Sequence, residues 1–424
     1  MKLFNKEEIK IIKEYYKFTP LIKNNKKLIE FIKKFVKIKK LETEKYGEVL
    51  TPFYLINDIL NKLEEIDKDI FKMNYTWFDP CVGMGNFHIM IYNRLIKYHK
   101  HYFIIKNMFY ANEINKKNVF LYKLIFGNNA NIICDDSLKL DNKIKYDIII
   151  GNPPYNSGTK NTGHTIYQDF IDKFLNQYNK YISFINPPGW RKPEKDNNKL
   201  FNKMVKEHHL CYLEIYDTKD GMKTFNAGTR YDWFIINKGI NNNNSIIKDI
   251  DNKIYNINCN NFDFIPHGKI DLFQKILCKY KRNSINANKC YEHSSNNIRK
   301  KNSNISKIKS KEFKYPVIHS TTKTEIKYLY TNDNTIGSFG IKKIIFGDSY
   351  IKPIDDIKGI YGTSEHAIYI TYDNEEQHKK YLEYFNNDKF KELLTKYLIF
   401  SNYQINYQIF NYIKKDFYLK LFNF

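Results

Sequence analysis

The stretch YDIIIGNPPY, Tyr146 to Tyr155, drives an apolar run into Asn-Pro-Pro-Tyr. A short apolar run bounded by Gly and Pro reads as a buried strand that stops at a rigid turn. Downstream, YISFINPPGWRKP, Tyr181 to Pro193, repeats the figure with Asn-Pro-Pro-Gly. Working outward, further apolar strands are legible at YTWF, MFYA, NIIC, CYLEIY and YDWFII. Helical patterns such as FHIMIYNRLIKY and YQDFIDKFL lie between them. Strands alternating with helices predict an α/β, Rossmann-like, mostly parallel sheet covered on both faces. Ligands of such sheets sit beyond the carboxyl ends of the strands, near the point where strand order reverses.

The 424 residues allow two or three domains, and 42% hydrophobic with 16% aromatic content is enough for real cores. No apolar run reaches the roughly 18–20 residues of a membrane span. The start, MKLFNKEEIK, is too charged for a secretory signal. The expectation is an intracellular protein with no membrane partner. Six scattered cysteines form no Cys-x-x-Cys pair, as suits a reducing compartment. Cys278, Cys290 and His293 fit no standard zinc spacing, so no metal is expected. The net charge of +23 favours a polyanionic partner. AT-rich coding discounts it, because only five of the 69 basic residues are arginine.

Residues 1–44 read as a basic helical segment. Leu28, Phe31, Ile32 and Phe35 share one face, with Lys33, Lys34, Lys37, Lys39 and Lys40 mostly elsewhere. A packed helix with a solvated face accounts for this better than a DNA-contacting helix. Residues 45–240 form the α/β domain. The polar run INNNNSIIKDIDNK from Ile240 reads as the boundary, and 241–424 as a mixed α and β domain.

FDPCVGMGNF, Phe78 to Phe87, closes the first strand and opens a helix. Gly83 and Gly85 permit a tight turn and close approach to a ligand, but His88 stands where a dinucleotide fingerprint has its third glycine. Asp79 would repel phosphate and attract an ammonium group. Glu113, in YANEIN, can accept from two ribose hydroxyls, and Asp135 or Asp136, in CDDSL, from an adenine amino group. A helix cap would explain any one of these acids, but not three in successive strand tips. A ligand with ribose, adenine and a charged amino-acid portion but no phosphate is S-adenosylmethionine.

At Asn152-Pro153-Pro154-Tyr155 the prolines remove two N–H donors, so the Asn152 side-chain oxygen and the Pro153 carbonyl can converge as acceptors. Such a pair would bind a planar exocyclic amine and draw its nitrogen toward tetrahedral geometry. Tyr155 offers a stacking face. Asn186, followed by Pro187, Pro188, Gly189 and Trp190, lacks that aromatic and reads as scaffold.

In these motifs, from Tyr46 to Lys238, the sequence resembles the adenine-N6 DNA methyltransferases of gamma-class motif order. YGEVLTPFYLINDIL resembles motif X, DPCVGMGNF motif I, NEI motif II, CDDSL motif III and NPPY motif IV. IYQDFIDKFL is similar to motif V, FINPPGW to motif VI and KTFNAGTRYDWFIINK to motif VIII. The resemblance implies cofactor contacts at Thr51, Pro52, Asp79, Pro80, Cys81, Gly83, Gly85, Glu113, Ile114, Asp135 or Asp136, and Asn152. It implies catalysis at Asn152, Pro153, Pro154 and Tyr155, with Phe225 supporting a flipped base and Tyr231 competing for that role. It further implies S-adenosylmethionine as cofactor, a C-terminal target-recognition domain and a monomer acting on double-stranded DNA. Any cognate restriction endonuclease would act separately. The same tetrapeptide occurs in enzymes that methylate glutamine amides or RNA amino groups, whose chains are shorter and lack motif X. An inactive DNA-binding module is a further alternative, opposed by the intact Asn152, Pro153, Tyr155 and Glu113. PIDDIK, Pro353 to Lys358, is faintly nuclease-like but lacks the usual carboxylate and lysine arrangement.

Overall fold

In the computed structural model the described residues are 3–46, 50–140, 143–155, 165–194, 199–239, 244–278, 281–300, 303–400 and 404–421. Nine strands form one sheet: β1 Trp77–Asp79, β2 Phe109–Asn112, β3 Ile132–Ile133, β4 Tyr146–Gly151, β5 Tyr178–Asn186, β6 His209–Tyr216, β7 Tyr231–Asn237, β8 Asn244–Lys248 and β9 Ile254–Asn258. Their order is β3-β2-β1-β4-β5-β7-β6-β8-β9. β1 to β5 run parallel, whereas β7 is inserted antiparallel between β5 and β6. Ile148, Ile149 and Ile150 of β4 are all fully buried, as a central strand covered on both faces requires. The seven strands legible in the sequence are β1 to β7, and the Rossmann-like α/β expectation is borne out. Strand order reverses between β1 and β4, so the tips of these two strands, Asp79 and Gly151, open on the same edge of the sheet.

Helix α1, Lys6–Tyr16, begins at a capping box in which Asn5 and Glu8 bond reciprocally. Helix α2 covers Asn25–Tyr46. Tyr15, Leu28, Phe31 and Phe35 are buried in the same core as Leu55, Ile59 and Leu63 of helix α3, Phe53–Ile66. At roughly 1.5–3 kcal/mol for each large apolar side chain buried, this docks residues 3–36 on the first unit instead of leaving a separate arm. Glu8 is buried and ion-paired at 3.1 Å to Lys117. Lys33 and Lys34 face solvent; the side chains of Lys37, Lys39 and Lys40 lie outside the described residues.

The chain divides into two compact units, Met1–Trp190 with Lys199–Asn261, and Arg191–Asn198 with Phe262–Phe424. The expected boundary at 240 therefore shifts to 261. The physical reason is that β8 pairs in parallel with β6 and antiparallel with β9, extending the sheet. Ser245 and Ile247 point inward while Asn244 and Ile246 face water. Residues 240–243 of the polar run lie outside the described residues.

The second unit is α+β. It holds the strands β10 Asn286–Asn288, β11 Ile305–Ser306, β12 Tyr315–Thr321, β13 Ile326–Thr331, β14 Lys343–Gly347, β15 Ile354–Asp356, β16 Gly362–Thr363 and β17 Ala367–Thr371. They form two sheets, β10-β17-β14-β15 and β11-β13-β12-β16, with helices Ile270–Ile276, Glu375–Asn386 and Asp388–Tyr397. Arg191 is wholly buried there, donating to the Ile265 carbonyl at 2.7 Å and lying 2.8 Å from His267 Nδ1. The acids of PIDDIK are structural: Asp356 pairs at 2.7 Å with Lys343, both fully buried, and Asp355 meets His378 at 2.9 Å. Among the described residues no group of three or more His, Cys, Asp or Glu could hold a metal ion, and no helix is long and apolar enough to cross a membrane.

Candidate active site

The tip of β1 turns through Pro80 to Gly85 and opens helix α4, Asn86–Leu95. Gly85 has φ +98°, and a Cβ there would stand 2.7 Å from the Phe126 ring and 3.0 Å from Tyr122, so only glycine fits. His88, in place of a third glycine, is buried core. It stacks on Phe109 at 4.3 Å and hydrogen-bonds the Tyr122 hydroxyl at 2.6 Å; burial lowers its pKa to about 3. The space beside the Gly83 Cα is open, with no atom within 4 Å of a Cβ built there.

Asp79 is buried at this turn and accepts from the Cys81 N–H at 3.0 Å. Its Oδ1 lies 2.7 Å from where a Cβ on Gly151 would stand, which places the carboxyl against the end of β4. Burial, reinforced by the Glu113 charge and opposed by the Cys81 bond, raises its pKa to about 8. The Cys81 thiol is likewise pushed up by burial and then by Asp79. Glu113 sits at the tip of β2, accepting from Gly83 N at 2.8 Å and Asn115 N at 2.7 Å. Beside it the Ile114 side chain is 68% exposed, an apolar face at the strand tip.

Past β3, Asp135 is exposed and Asp136 half-buried, with the Asp136 carboxylate accepting from Leu138 N at 3.0 Å. Of the two, the motif pattern favours Asp136 for the adenine contact that the resemblance implies. A link across the strand tips had no sequence signature. Asn112 donates to the Asp135 carbonyl at 3.0 Å and to the Ser137 hydroxyl, which donates to the Pro80 carbonyl.

At the end of β4 Asn152 is half-buried. Its Nδ2 donates to Thr51 Oγ1 at 3.1 Å, while its Oδ1 is buried and has no partner among the described residues. The Thr51 carbonyl accepts from Asn86 Nδ2 at 3.0 Å. Thr51 and Pro52 immediately precede α3, so the motif X segment meets both the glycine turn and the Asn-Pro-Pro-Tyr turn. Gly47, Glu48 and Val49 lie outside the described residues, as do Asn156 to Gly158. Pro153 is buried and Pro154 exposed. Tyr155 meets Tyr167 edge-on at 6.4 Å, and burial drives its hydroxyl pKa upward.

The look-alike turn shares the buried acceptor, since Asn186 Oδ1 also has no partner among the described residues, but differs in the rest. Asn186 is fully buried and folds its Nδ2 onto the Pro187 carbonyl at 3.0 Å, and Trp190 is core, bonded to Asp232 at 3.1 Å. Gly189 leaves room for the Tyr167 hydroxyl, 2.6 Å from where a Cβ would stand.

Phe225 ends the helix Thr218–Phe225 and is half-buried, 4.9 Å from Tyr231 in an edge-on contact. Tyr231 is 1% exposed, stacked at 4.5 Å on Tyr216, and its hydroxyl lies 3.1 Å from Thr224 Oγ1. Phe225 is thus the more accessible ring.

Residues 86–225 match the Eco57I restriction-modification methylase family, a span that contains Glu113, Asp136, Asn152 and Phe225. An uncharacterized adenine-specific methylase of Mycoplasma pneumoniae is 36% identical over 84 residues, covering 18% of this chain and 20% of that protein. Among solved structures, the type IIL restriction-modification enzyme MmeI in complex with DNA is 11% identical, with a TM-score of 0.47, over 80% of this chain and 62% of that one. The EcoKI M protein, of a type I restriction enzyme, is 17% identical with a TM-score of 0.36 over 47% and 48%. A type I modification subunit from Vibrio vulnificus YJ016 is 12% identical with a TM-score of 0.42 over 53% and 52%. The chain spans a fifth of the curated relative and about half of each of the two modification subunits. Over residues 86–225 the chain is similar to the Eco57I restriction-modification methylase family.

Proposed function

We propose that the chain is an S-adenosylmethionine-dependent DNA methyltransferase that modifies the N6 amino group of an adenine flipped out of duplex DNA. The observation that carries this reading is Asn152. It holds one buried acceptor, Oδ1, without a partner among the described residues at the switch point, while Nδ2 is committed to Thr51. A neutral planar amine needs acceptors and not a strong base, and Oδ1 with the Pro153 carbonyl would supply two.

The donor set also fits the cofactor. Asp79 and the buried, unpartnered Asn86 Oδ1 suit an ammonium group, Glu113 suits ribose hydroxyls, Ile114 suits an adenine face, and the Gly83 side of the turn is open. When bound, S-adenosylmethionine supplies an electrophilic sulfonium methyl. Asn152 and Pro153 hold the amine by its two N–H groups and localise its lone pair. Tyr155 and Phe225 flank the base. Flipping costs a few kcal/mol, and stacking at ~1–3 kcal/mol per base offsets much of it. On this reading the second unit recognises the target sequence and any partner endonuclease is a separate chain.

The test is direct. Purified protein with tritiated S-adenosylmethionine and duplex DNA is expected to yield N6-methyladenine on nuclease digestion and mass spectrometry. Label found on RNA or on protein glutamine instead would sink the DNA assignment.

Cofactor binding is expected to release a proton near neutral pH. With a free-state pKa of about 8, Asp79 is mostly protonated at pH 7, and pairing with an ammonium requires it ionised. The raised value means that the folded free protein holds this proton more tightly than the unfolded chain. The Asp79 contribution to free-protein stability is thus full below the ordinary carboxyl value and lost as pH rises toward 8. Cofactor affinity runs the opposite way and climbs from pH 6 to 7.5. Calorimetry in two buffers of different ionisation enthalpy checks this, and an Asp79→Asn variant that still releases the proton would refute the assignment.

A further inference from the structure

We propose that Thr51 is a positioning residue for catalysis: it holds the Asn152 amide with its oxygen turned toward the substrate amine, and Asn86 holds Thr51. The proposal rests on the reading of Asn152 given above.

An asparagine amide is nearly symmetric in shape and opposite in chemistry at its two ends. Turned over, it would offer an NH2 group to an NH2 group, donor against donor, and the site would repel the base it should bind. Something must therefore select one orientation. Nδ2 donates to Thr51 Oγ1 at 3.1 Å, and Thr51 is only 5% exposed, so water does not readily replace it. Thr51 is itself pinned, because its carbonyl accepts from Asn86 Nδ2 at 3.0 Å. Asn86 is the first residue of α4, the helix opened by the glycine turn. The orientation of the amide is thus tied to the segment that would line the cofactor, through residues 35 and 101 positions apart in the chain.

The experiment compares Thr51→Val, isosteric but without the hydroxyl, with Thr51→Ser, which keeps it. Each is placed on the wild-type and the Asn152→Asp background. Single-turnover methyl transfer is measured at saturating cofactor and DNA, and the affinity for S-adenosylhomocysteine by calorimetry. Thr51→Val should slow transfer about 10–100-fold, with Thr51→Ser restoring it to within about threefold. Because the resemblance also places Thr51 at the cofactor, S-adenosylhomocysteine affinity is measured for each variant, and the loss in transfer should persist once the cofactor is saturating. On Asn152→Asp, which presents an oxygen whichever way it turns, Thr51→Val should cost less than about threefold.

A wild-type rate in Thr51→Val overturns the proposal. So does a loss explained by cofactor affinity, or an equal loss on both backgrounds. If Asn152→Asp is too slow to measure, or if one Thr51 variant fails to fold, the remaining valine or serine comparison with wild type decides. Failure of the functional reading looks different: wild-type protein then forms no N6-methyladenine, and the proposal falls with it.

Discussion

Asn152→Ala is expected to lower methyl transfer by about 10³-fold while changing S-adenosylhomocysteine affinity by less than about threefold. The substitution deletes Oδ1, the buried acceptor that has no partner among the described residues, together with the Nδ2 bond to Thr51. Neither atom bonds Asp79, Glu113 or the glycine turn. On the proposed reading, the bond that Oδ1 would make strengthens as positive charge develops on the amine nitrogen during methyl transfer, so its loss falls on the rate of transfer and not on ground-state binding. Single-turnover kinetics alongside calorimetry separates the two. A variant turning over near the wild-type rate would remove Asn152 from the chemistry.

Gly221→Ala is the second large effect, and its sign opposes helix propensity. In an exposed helix interior alanine is better than glycine by about 1 kcal/mol. Gly221, within Thr218–Phe225, is instead buried under the following loop. A Cβ there would stand 1.8 Å from the Thr229 carbonyl oxygen and 3.0 Å from that of Ala227. Both atoms are backbone, so relief requires moving residues 226–230. Asn226, at φ +54°, caps this helix and leads directly into that loop. A loss of about 3 kcal/mol or more in unfolding free energy is expected, within the range for severe overpacking. Because Phe225 sits at the hinge of that movement, 2-aminopurine at the target adenine should also report weaker flipping. Denaturant unfolding at or above wild-type stability would contradict the geometry.

The strand tips were readable because the chemistry sits where an apolar run stops. Asp79, Glu113 and Asn152 each follow a stretch whose pattern already declares a strand. The links between those tips were not readable. Asn152 and Thr51 are 101 residues apart, and nothing local marks Asn112 as the residue joining Pro80 to Asp135 through Ser137. Asn86 was visible only as a polar residue after the last glycine. β8 and β9 escaped for another reason: these outer strands, NSIIK and IYNIN, set Asn, Ser and Lys among Ile and Tyr, and the mixture imitates a linker. The order of preference between Phe225 and Tyr231 needed the Tyr216 stack, which no spacing reveals.

The path of the chain between its two units has a consequence for modularity. Arg191–Asn198 belongs to the second unit, yet Lys199–Asn261 returns to the first. A cut after Asn261 would therefore strand Arg191, whose guanidinium is satisfied by Ile265 and His267 on the far side of the cut. Swapping the second unit between relatives is accordingly a graft of two segments, and the short loop after the second Asn-Pro-Pro turn must travel with the long one.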